Sequence, residues 1–403
     1  MTKVRSKSTL AAALVAVALL ATACGSDKKV ATPATPGSTG TGAAPGTAAT
    51  PGTAAASGCE ASIGFMGPFT GDAASIGQEQ LNWGKLGIDD YNKANGTKFK
   101  LIETDTKLDP AEATTAVAGL ISDNAVVAVL GPAGSQEVDA IGPAMTTAGL
   151  VYVSPSATRT SLTDGKIPSF ARVVPNDDAQ GPTVANFISK TIGAKKVLII
   201  DDQSSYSTGL ADSATAALKE NGVEVIRDSV GQTSVDFSTL VTKVSDDTGV
   251  VFLPWQIAAN AQQYGTQLKE QNKKAVLVGS DGVYSPKDFS FEGAYVTSFA
   301  PDVRGIAAAK DVVAAYQKAH DDTFGTFGPP VYVAAQLIAT GINSTCKDGK
   351  PGSRADVTSA VKAVTLDSTI LGGPVSLNAS GDVVGAKFFL SKITGGKYVL
   401  VAD

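Results

Sequence analysis

The chain has 403 residues, of which 43% are hydrophobic and 18% charged, with a formal net charge of −5. That length accommodates two or three domains at ~150 residues each, and the mild negative charge excludes a nucleic-acid backbone as partner, since that needs a basic face. One histidine, His320, and three cysteines leave no imidazole cluster, no multi-cysteine metal site and no disulfide scaffold, so neither a cofactor nor a metal is expected.

Lys3, Arg5 and Lys7 precede an apolar run from Leu10 to Ala21. The run is shorter than the ~20 residues a membrane-spanning helix needs and suits a signal-peptide core. It leads into Leu20-Ala-Thr-Ala-Cys24, where small residues directly before a cysteine resemble the lipobox of bacterial lipoproteins. That resemblance implies cleavage before Cys24, a diacylated thiol and an extracytoplasmic protein held at the cell membrane. The alternative is an ordinary secretory peptide with an incidental cysteine. From Ala31 to Gly58 every residue is Ala, Thr, Pro, Gly or Ser. Such a stretch has nothing to bury and reads as a disordered tether, with a reach of roughly 30 Å. With Cys24 lipidated, Cys59 and Cys346 remain. An even pair outside the cytoplasm predicts a disulfide.

The rest alternates strand and helix. Strands are predicted at 61–66, 99–104, 125–130 and 150–153, and helices at 78–94, from Asp109-Pro110-Ala-Glu112 onward, and at 136–148. Asp at the N-cap, Pro next and Glu third is a helix-start signature. The pattern restarts after Arg172-Val-Val-Pro175, with helices at 184–192, 208–221 and 258–271 and strands at 196–200, 223–227, 250–253, 275–278 and 295–299. Helices at 306–319, 331–343 and 355–364 follow, and they have too few strands to form a third domain. The tail, Val375–Leu377, a turn at Asn378–Gly381 and Lys387–Ile393, reads as a closing hairpin. Continuous apolar strands between helices define parallel sheets buried on both faces. The fold class is therefore α/β, with two similar lobes, each a parallel-rich sheet flanked by helices.

In open α/β sheets ligands bind beyond the carboxyl ends of the strands. The residues there are Gly67–Gly71, Gly131–Ser135, Ser154–Thr158, Tyr206, Trp255 and Asp281. They supply hydroxyls, N–H groups, aromatics and one acid, but no nucleophile–base pair. Each also has a structural explanation: Ser135 and Thr158 as N-caps, Asp281 as an Asx-turn residue before Gly282, Trp255 and Tyr206 as core aromatics. His320, in Lys318-Ala-His-Asp-Asp, reads as a solvated helix residue.

Taken together, Ile63-Gly-Phe-Met-Gly-Pro-Phe-Thr-Gly71, Leu130-Gly-Pro-Ala-Gly-Ser135, Gly149-Leu-Val-Tyr-Val-Ser-Pro-Ser-Ala-Thr158, Asp202-Gln-Ser-Ser-Tyr206-Ser-Thr-Gly-Leu210, Asp236-Phe-Ser-Thr-Leu240 and Gly279-Ser-Asp-Gly282 resemble the type I periplasmic binding proteins of branched-chain amino-acid ABC transporters. The similarity runs from about residue 61 to the end of the chain. It implies two lobes joined by a three-segment hinge: residues 59–174 and 302–371 in lobe 1, 175–301 and 372–403 in lobe 2, with 1–23 as signal peptide and 24–58 as tether. It also implies a ligand-binding set. Ser135 and Thr158 would donate hydroxyls to the ligand carboxylate. Ser156 would offer its N–H to the carboxylate and its C=O to the ammonium, with Ala157 beside it. Asp281 would face the ammonium, one methylene shorter than the Glu that relatives often carry. Tyr206, Trp255 and Phe327 would wall the side chain, with Ile76 where some relatives have an aromatic.

The resemblance thus points to a monomeric, non-enzymatic protein that captures an amino acid, branched-chain or otherwise apolar, and delivers it to ABC permease subunits in the cytoplasmic membrane. The same fold binding a short amide, urea or an aromatic acid, or acting as a ligand sensor, is the alternative. A secreted α/β enzyme is disfavoured by the missing base and the missing metal ligands.

Overall fold

In the computed structural model residues 58–320, 322 and 324–402 are described, so the predicted signal peptide, Cys24 and nearly all of the tether lie outside the described residues. Five strands, β1 (Glu60–Gly67), β2 (Lys98–Asp105), β3 (Val126–Leu130), β4 (Val151–Ser154) and β5 (Phe170–Arg172), pair in parallel in the order β2-β1-β3-β4-β5. They alternate with α1 (Ala74–Asn95), α2 (Pro110–Ser122) and α3 (Ser135–Thr147). Every residue of β3 and β4 is buried, as central strands covered on both faces must be. Asp109 caps α2 by accepting from the N–H groups of Ala111 and Glu112, with Pro110 at the first position.

The chain then crosses to a second sheet. Its elements are α4 (Asp177–Asn186), β6 (Lys196–Asp201), α5 (Ser205–Glu220), β7 (Glu224–Ser229), α6 (Ser238–Thr242), β8 (Val250–Leu253), α7 (Ala258–Glu270), β9 (Val276–Gly279) and β10 (Tyr295–Ser298). The helices α8 (Lys310–Ala319), α9 (Gly328–Ser344) and α10 (Arg354–Ala363) return to the first sheet. Val331, Ala335, Ile338 and Val357 share one core with Ile63, Trp83 and Val127.

The tail departs from the expected hairpin. β12 (Val375–Ser376) pairs antiparallel with β11 (Thr365–Leu366), and β13 (Phe389–Thr394) pairs with β14 (Lys397–Ala402) to extend the second sheet to β14-β13-β10-β9-β8-β6-β7. The physical reason lies in Gly395 and Gly396, whose φ values of 57° and 72° give the two-residue left-handed loop that matches strand twist. The Asn378–Gly381 turn closes only a single bridge, Leu377 to Val383.

The third crossover also falls later than expected. Val375 is buried in the first-lobe core, the Arg172 N–H donates to Gly381 O at 2.9 Å, and the Arg172 guanidinium pairs with Asp382 at 2.6 Å. Residues 372–383 thus pack with lobe 1, not lobe 2. The crossovers run through residues 173–176, 299–302 and 384–388, and each puts an apolar side chain into one cluster. Val174, Phe299 and Phe388 meet Ile76, Ala133, Ile257 and Phe327 there.

At the far end of lobe 1, Cys59 precedes β1 and Cys346 follows α9. Their Cα atoms lie 6.0 Å apart and the sulfurs are paired, a separation that a disulfide spans without backbone movement. Among the described residues no helix is long and apolar enough to cross a membrane.

Candidate functional site

The site begins where β3 and β4 end. At Gly131, with φ 97°, a Cβ would sit 2.1 Å from the Met66 carbonyl oxygen, so only glycine lets the chain turn here across the end of β1. The loop delivers Ser135 as the first residue of α3, after Gly134 at the N-cap. Ser135 is therefore not a cap; its Oγ accepts from the Arg159 N–H at 3.2 Å. Beyond β4, Ser154 Oγ accepts from the N–H groups of Ser156 at 3.3 Å and Ala157 at 2.9 Å. The Ser156 N–H assigned by resemblance to a ligand carboxylate is thus turned to Ser154. Arg172, fully buried, donates to the carbonyls of Ala157 at 3.1 Å and Arg159 at 2.8 Å, pinning the backbone on both sides of Thr158. Thr158 Oγ1 itself is buried without a hydrogen-bond partner.

The second lobe meets this point directly. The Asp177 N–H, at the start of α4, donates to Thr158 O at 2.9 Å. Asp177 is 1% exposed and neither carboxylate oxygen has a hydrogen-bond partner. Burial, and then the neighbouring charge of Asp281, push its carboxyl up to about 8, while the nearby Thr158 hydroxyl opposes the rise. Asp281 follows β9 and is 2% exposed. Its Oδ1 accepts from Gln180 Nε2 and from the Tyr206 hydroxyl, the latter at 2.8 Å. Burial pushes the Asp281 carboxyl up to about 6 against those two donors. Gln180 also donates to Thr297 Oγ1 at 2.7 Å, and its own Oε1 is unpaired.

The structure therefore brings Ser135, Ser156, Ala157 and Thr158 of lobe 1 toward Tyr206 and Asp281 of lobe 2, with Ile76 and Phe327 in the adjoining apolar cluster. Ala157 is buried among the apolar side chains of lobe 1 and takes part only through its backbone. Trp255 is placed elsewhere. Its indole N–H donates to Ile200 O at 2.7 Å, and its ring packs on Phe237 and Tyr264 inside lobe 2. Ile257, two residues on, joins Ile76 and Phe327 instead. Sequence reasoning missed Asp177 and Gln180, and also Gln80 of α1, which donates to Ser156 Oγ at 2.9 Å.

Around the site the lobes touch. Gln136 Nε2 donates to Gln256 Oε1 at 2.9 Å, Ser205 donates to Asp139, and Arg159 reaches Ser205 O. An open groove of ≈ 980 Å³ remains at the mouth, between Lys107 and Asp109 on one side and Ser204 and Gln232 on the other. Two buried carboxylates beside an unpartnered hydroxyl make a place for a cationic group. Among the described residues no cluster of His, Cys, Asp and Glu is arranged to hold a metal.

Two parallel-rich sheets meeting in a buried polar seam at their carboxyl ends define a two-lobed α/β protein. The chain matches the periplasmic binding protein family over residues 60–397 and belongs to it, a family of substrate-binding proteins rather than enzymes. It is 29% identical over 296 residues to an amino acid binding protein of Pseudomonas aeruginosa, covering 70% of this chain and 78% of that protein. It is 28% identical over 350 residues to a Leu/Ile/Val-binding protein homolog of Brucella melitensis, covering 84% of this chain and 92% of that protein. Its fold is that of the branched-chain amino acid transporter substrate-binding protein of Streptococcus pneumoniae solved with isoleucine. That match has a TM-score of 0.75 and 24% identity and covers 85% of this chain and all of the other (100%).

Proposed function

We propose that this protein captures an α-amino acid between its lobes, outside the cytoplasm, and hands it to the permease subunits of an ABC importer. The observation that carries the reading is the buried Asp177 carboxylate, which faces the Thr158 hydroxyl and lies beside Asp281. Two acids this close are unfavourable together until a cation lies between them. An α-ammonium supplies that cation. In this reading Ser135 would meet the ligand carboxylate, and Ile76, Ile257 and Phe327 would cover an apolar side chain at ~25 cal/mol per Å² buried. An uncharged amide would leave the two acids without a cation between them, and an aromatic acid would add a third negative charge. Leucine, isoleucine and valine are the first candidates, in keeping with the names of the relatives.

The test is a thermal-shift screen of amino acids, short amides and aromatic acids. A ligand at 100 times its Kd stabilises the folded protein by about 2.7 kcal/mol, a rise of a few degrees for a chain of this size. A shift with an amide or aromatic acid and with no amino acid would contradict the reading. The same proposal places a lipid on Cys24, with the tether holding the domain near the membrane. Cys24→Ser should move the protein into the soluble fraction. Finding the unaltered protein soluble, and unacylated by mass spectrometry, would remove the anchor.

A further inference from the structure

The edge of a sheet presents unpaired N–H and C=O groups that can template another strand, and folded proteins guard such edges with charge or cover. The two large sheets have four edges, β2 and β5 in the first, β7 and β14 in the second. β2 carries Lys98, Lys100, Glu103 and Asp105. β7 carries Glu224, Arg227 and Asp228, which pair with Lys196, Asp201 and Lys243. β5 is covered, since the Arg172 N–H donates to Gly381 O at 2.9 Å. β14 has neither protection. Between Lys397 and Asp403 its side chains are uncharged, and Val399, Leu400 and Val401 are 50%, 58% and 46% exposed. Elsewhere among the described residues the exposed large apolar side chains stand singly in sequence. Lys392, opposite Val399, leaves it uncovered because its ammonium lies over the Tyr295 ring, 5.6 Å from the centroid. The backbone is open too. The Ile393 N–H donates to Ala294 O at 2.8 Å, and Ile393 O accepts from the Gly293 N–H at 2.9 Å. Tyr398, opposite Ile393, therefore turns its own N–H and C=O outward, and Leu400 two residues on turns the same way. The register slips by one residue between Leu400 and Ala402, a bulge that twists the end of the strand but covers none of the three apolar side chains.

An open apolar strand is completed by another strand, and the sequence of β14 fits a copy of itself. In an antiparallel pair with a twofold axis at Leu400, Lys397 of one copy falls opposite Asp403 of the other, Tyr398 opposite Ala402 and Val399 opposite Val401. Both charges are matched, and apolar residues meet apolar ones. A parallel pair in register would set Lys397 against Lys397 and Asp403 against Asp403. We propose that β14 is a self-association edge, at which two copies of this chain join their second sheets through antiparallel β14 strands. The contact is isologous, so it closes at a dimer and does not grow into a fibre. One short strand is a small contact beside the ~1,200–2,000 Å² of stable interfaces. The chain is thus a monomer when dilute, as the resemblance implied, and a dimer when concentrated. β14 lies at the side of its sheet, whereas Tyr206 and Asp281 lie beyond the carboxyl ends of β6 and β9, so pairing leaves that seam free.

The experiment is sedimentation velocity across a wide range of concentration, on chains that carry Cys24→Ser so that no acyl group associates them. With β14 unaltered, a concentration-dependent monomer–dimer equilibrium is expected. Leu400→Lys sets two cations together at the axis and removes the central apolar pair, and should weaken dimerisation at least about tenfold. Because Leu400 is exposed, that variant should melt with the wild type. Lys397→Asp should weaken the dimer severalfold, and adding Asp403→Lys to it should restore the dimer, a rescue that a merely adhesive patch does not give. A monomer at every concentration, a dimer unmoved by Leu400→Lys, or charge reversal without rescue overturns the inference. A monomer that sediments with phosphatidylcholine vesicles, and ceases to with Leu400→Lys, also overturns it and gives the strand to the membrane surface.

Discussion

Asp177 is the residue whose chemistry an ammonium ligand would change most. Its buried carboxyl is pushed from 3.8 to about 8 by burial and by Asp281. Between those values the folded protein holds a proton there that the unfolded chain has released. The stability of the unliganded protein therefore falls, through this group, as pH rises from 3.8 toward about 8. An ammonium beside Asp177 reverses the preference and expels the proton. Amino-acid affinity should accordingly rise from about pH 5 to about pH 8. Calorimetry at neutral pH in two buffers of different ionisation enthalpy should register net proton release on binding; no release would place the ammonium away from Asp177. The residue was hard to find in the sequence because Asn176-Asp177-Asp178 before a helix reads as capping, and Asn176 does cap α4 through the Asp178 N–H. Gln80 and Gln180 carry no signal at all, since a neutral amide within a helix is usually solvated. Ser135, Thr158 and Tyr206 were legible because they follow apolar strands. Trp255 stands in an equivalent place, yet its ring turns into the lobe 2 core, a choice that side-chain packing makes and spacing does not record.

Among the elements, the continuous apolar strands were the most legible; β8 spans Val250–Leu253 as expected from its four apolar residues. Helix starts were less so. α4 begins at Asp177, capped by Asn176, although Gly181-Pro182 reads as a break: Pro182, its sixth residue, forfeits the bond an N–H there would make to the Asp178 carbonyl, and the helix continues past it. β5 has three residues, too short for any periodicity to show. The tail hairpin was assigned to the wrong turn because Asn378–Gly381 carries turn chemistry as strong as Gly395-Gly396 does. The Cys59–Cys346 pairing, by contrast, rests on parity and on the shared distal end of β1 and α9. Its bridge would close a loop between residues 287 apart. Reduction, or Cys59→Ser, should cost about 2–5 kcal/mol, visible as a lower melting temperature. Free thiols in the native protein, or melting unmoved by reductant, would show that the bridge does not form.

At the scale of the molecule, the two lobes were visible as a restart of the βα pattern after Arg172–Pro175. The return of α8, α9 and α10 to the first lobe followed from their lack of strands. The last crossover was misplaced because the Arg172–Asp382 ion pair that holds residues 372–383 on lobe 1 joins positions 210 apart in sequence, which no local pattern reports. The three crossovers converge on the apolar floor beneath the site, so a rotation about them would open and close the polar seam. On the amino-acid proposal, ligand binding and closure would be one event: Thr158 is fixed to lobe 1 by Arg172, Asp281 to lobe 2 by Tyr206 and Gln180, and the ammonium would join them. The most direct test is titration of leucine, isoleucine, valine and threonine into Asp281→Ala, with thermal melts of the same variant. Removing one partner of a buried charge pair should cost about 2–5 kcal/mol of binding free energy, with a much smaller loss of stability in the unliganded protein, because the lost Gln180 and Tyr206 hydrogen bonds are partly offset by removing a carboxylate from beside Asp177. Unaltered amino-acid affinity, with only a loss of stability, would mean that Asp281 serves its own turn and that the ligand is not held by its ammonium.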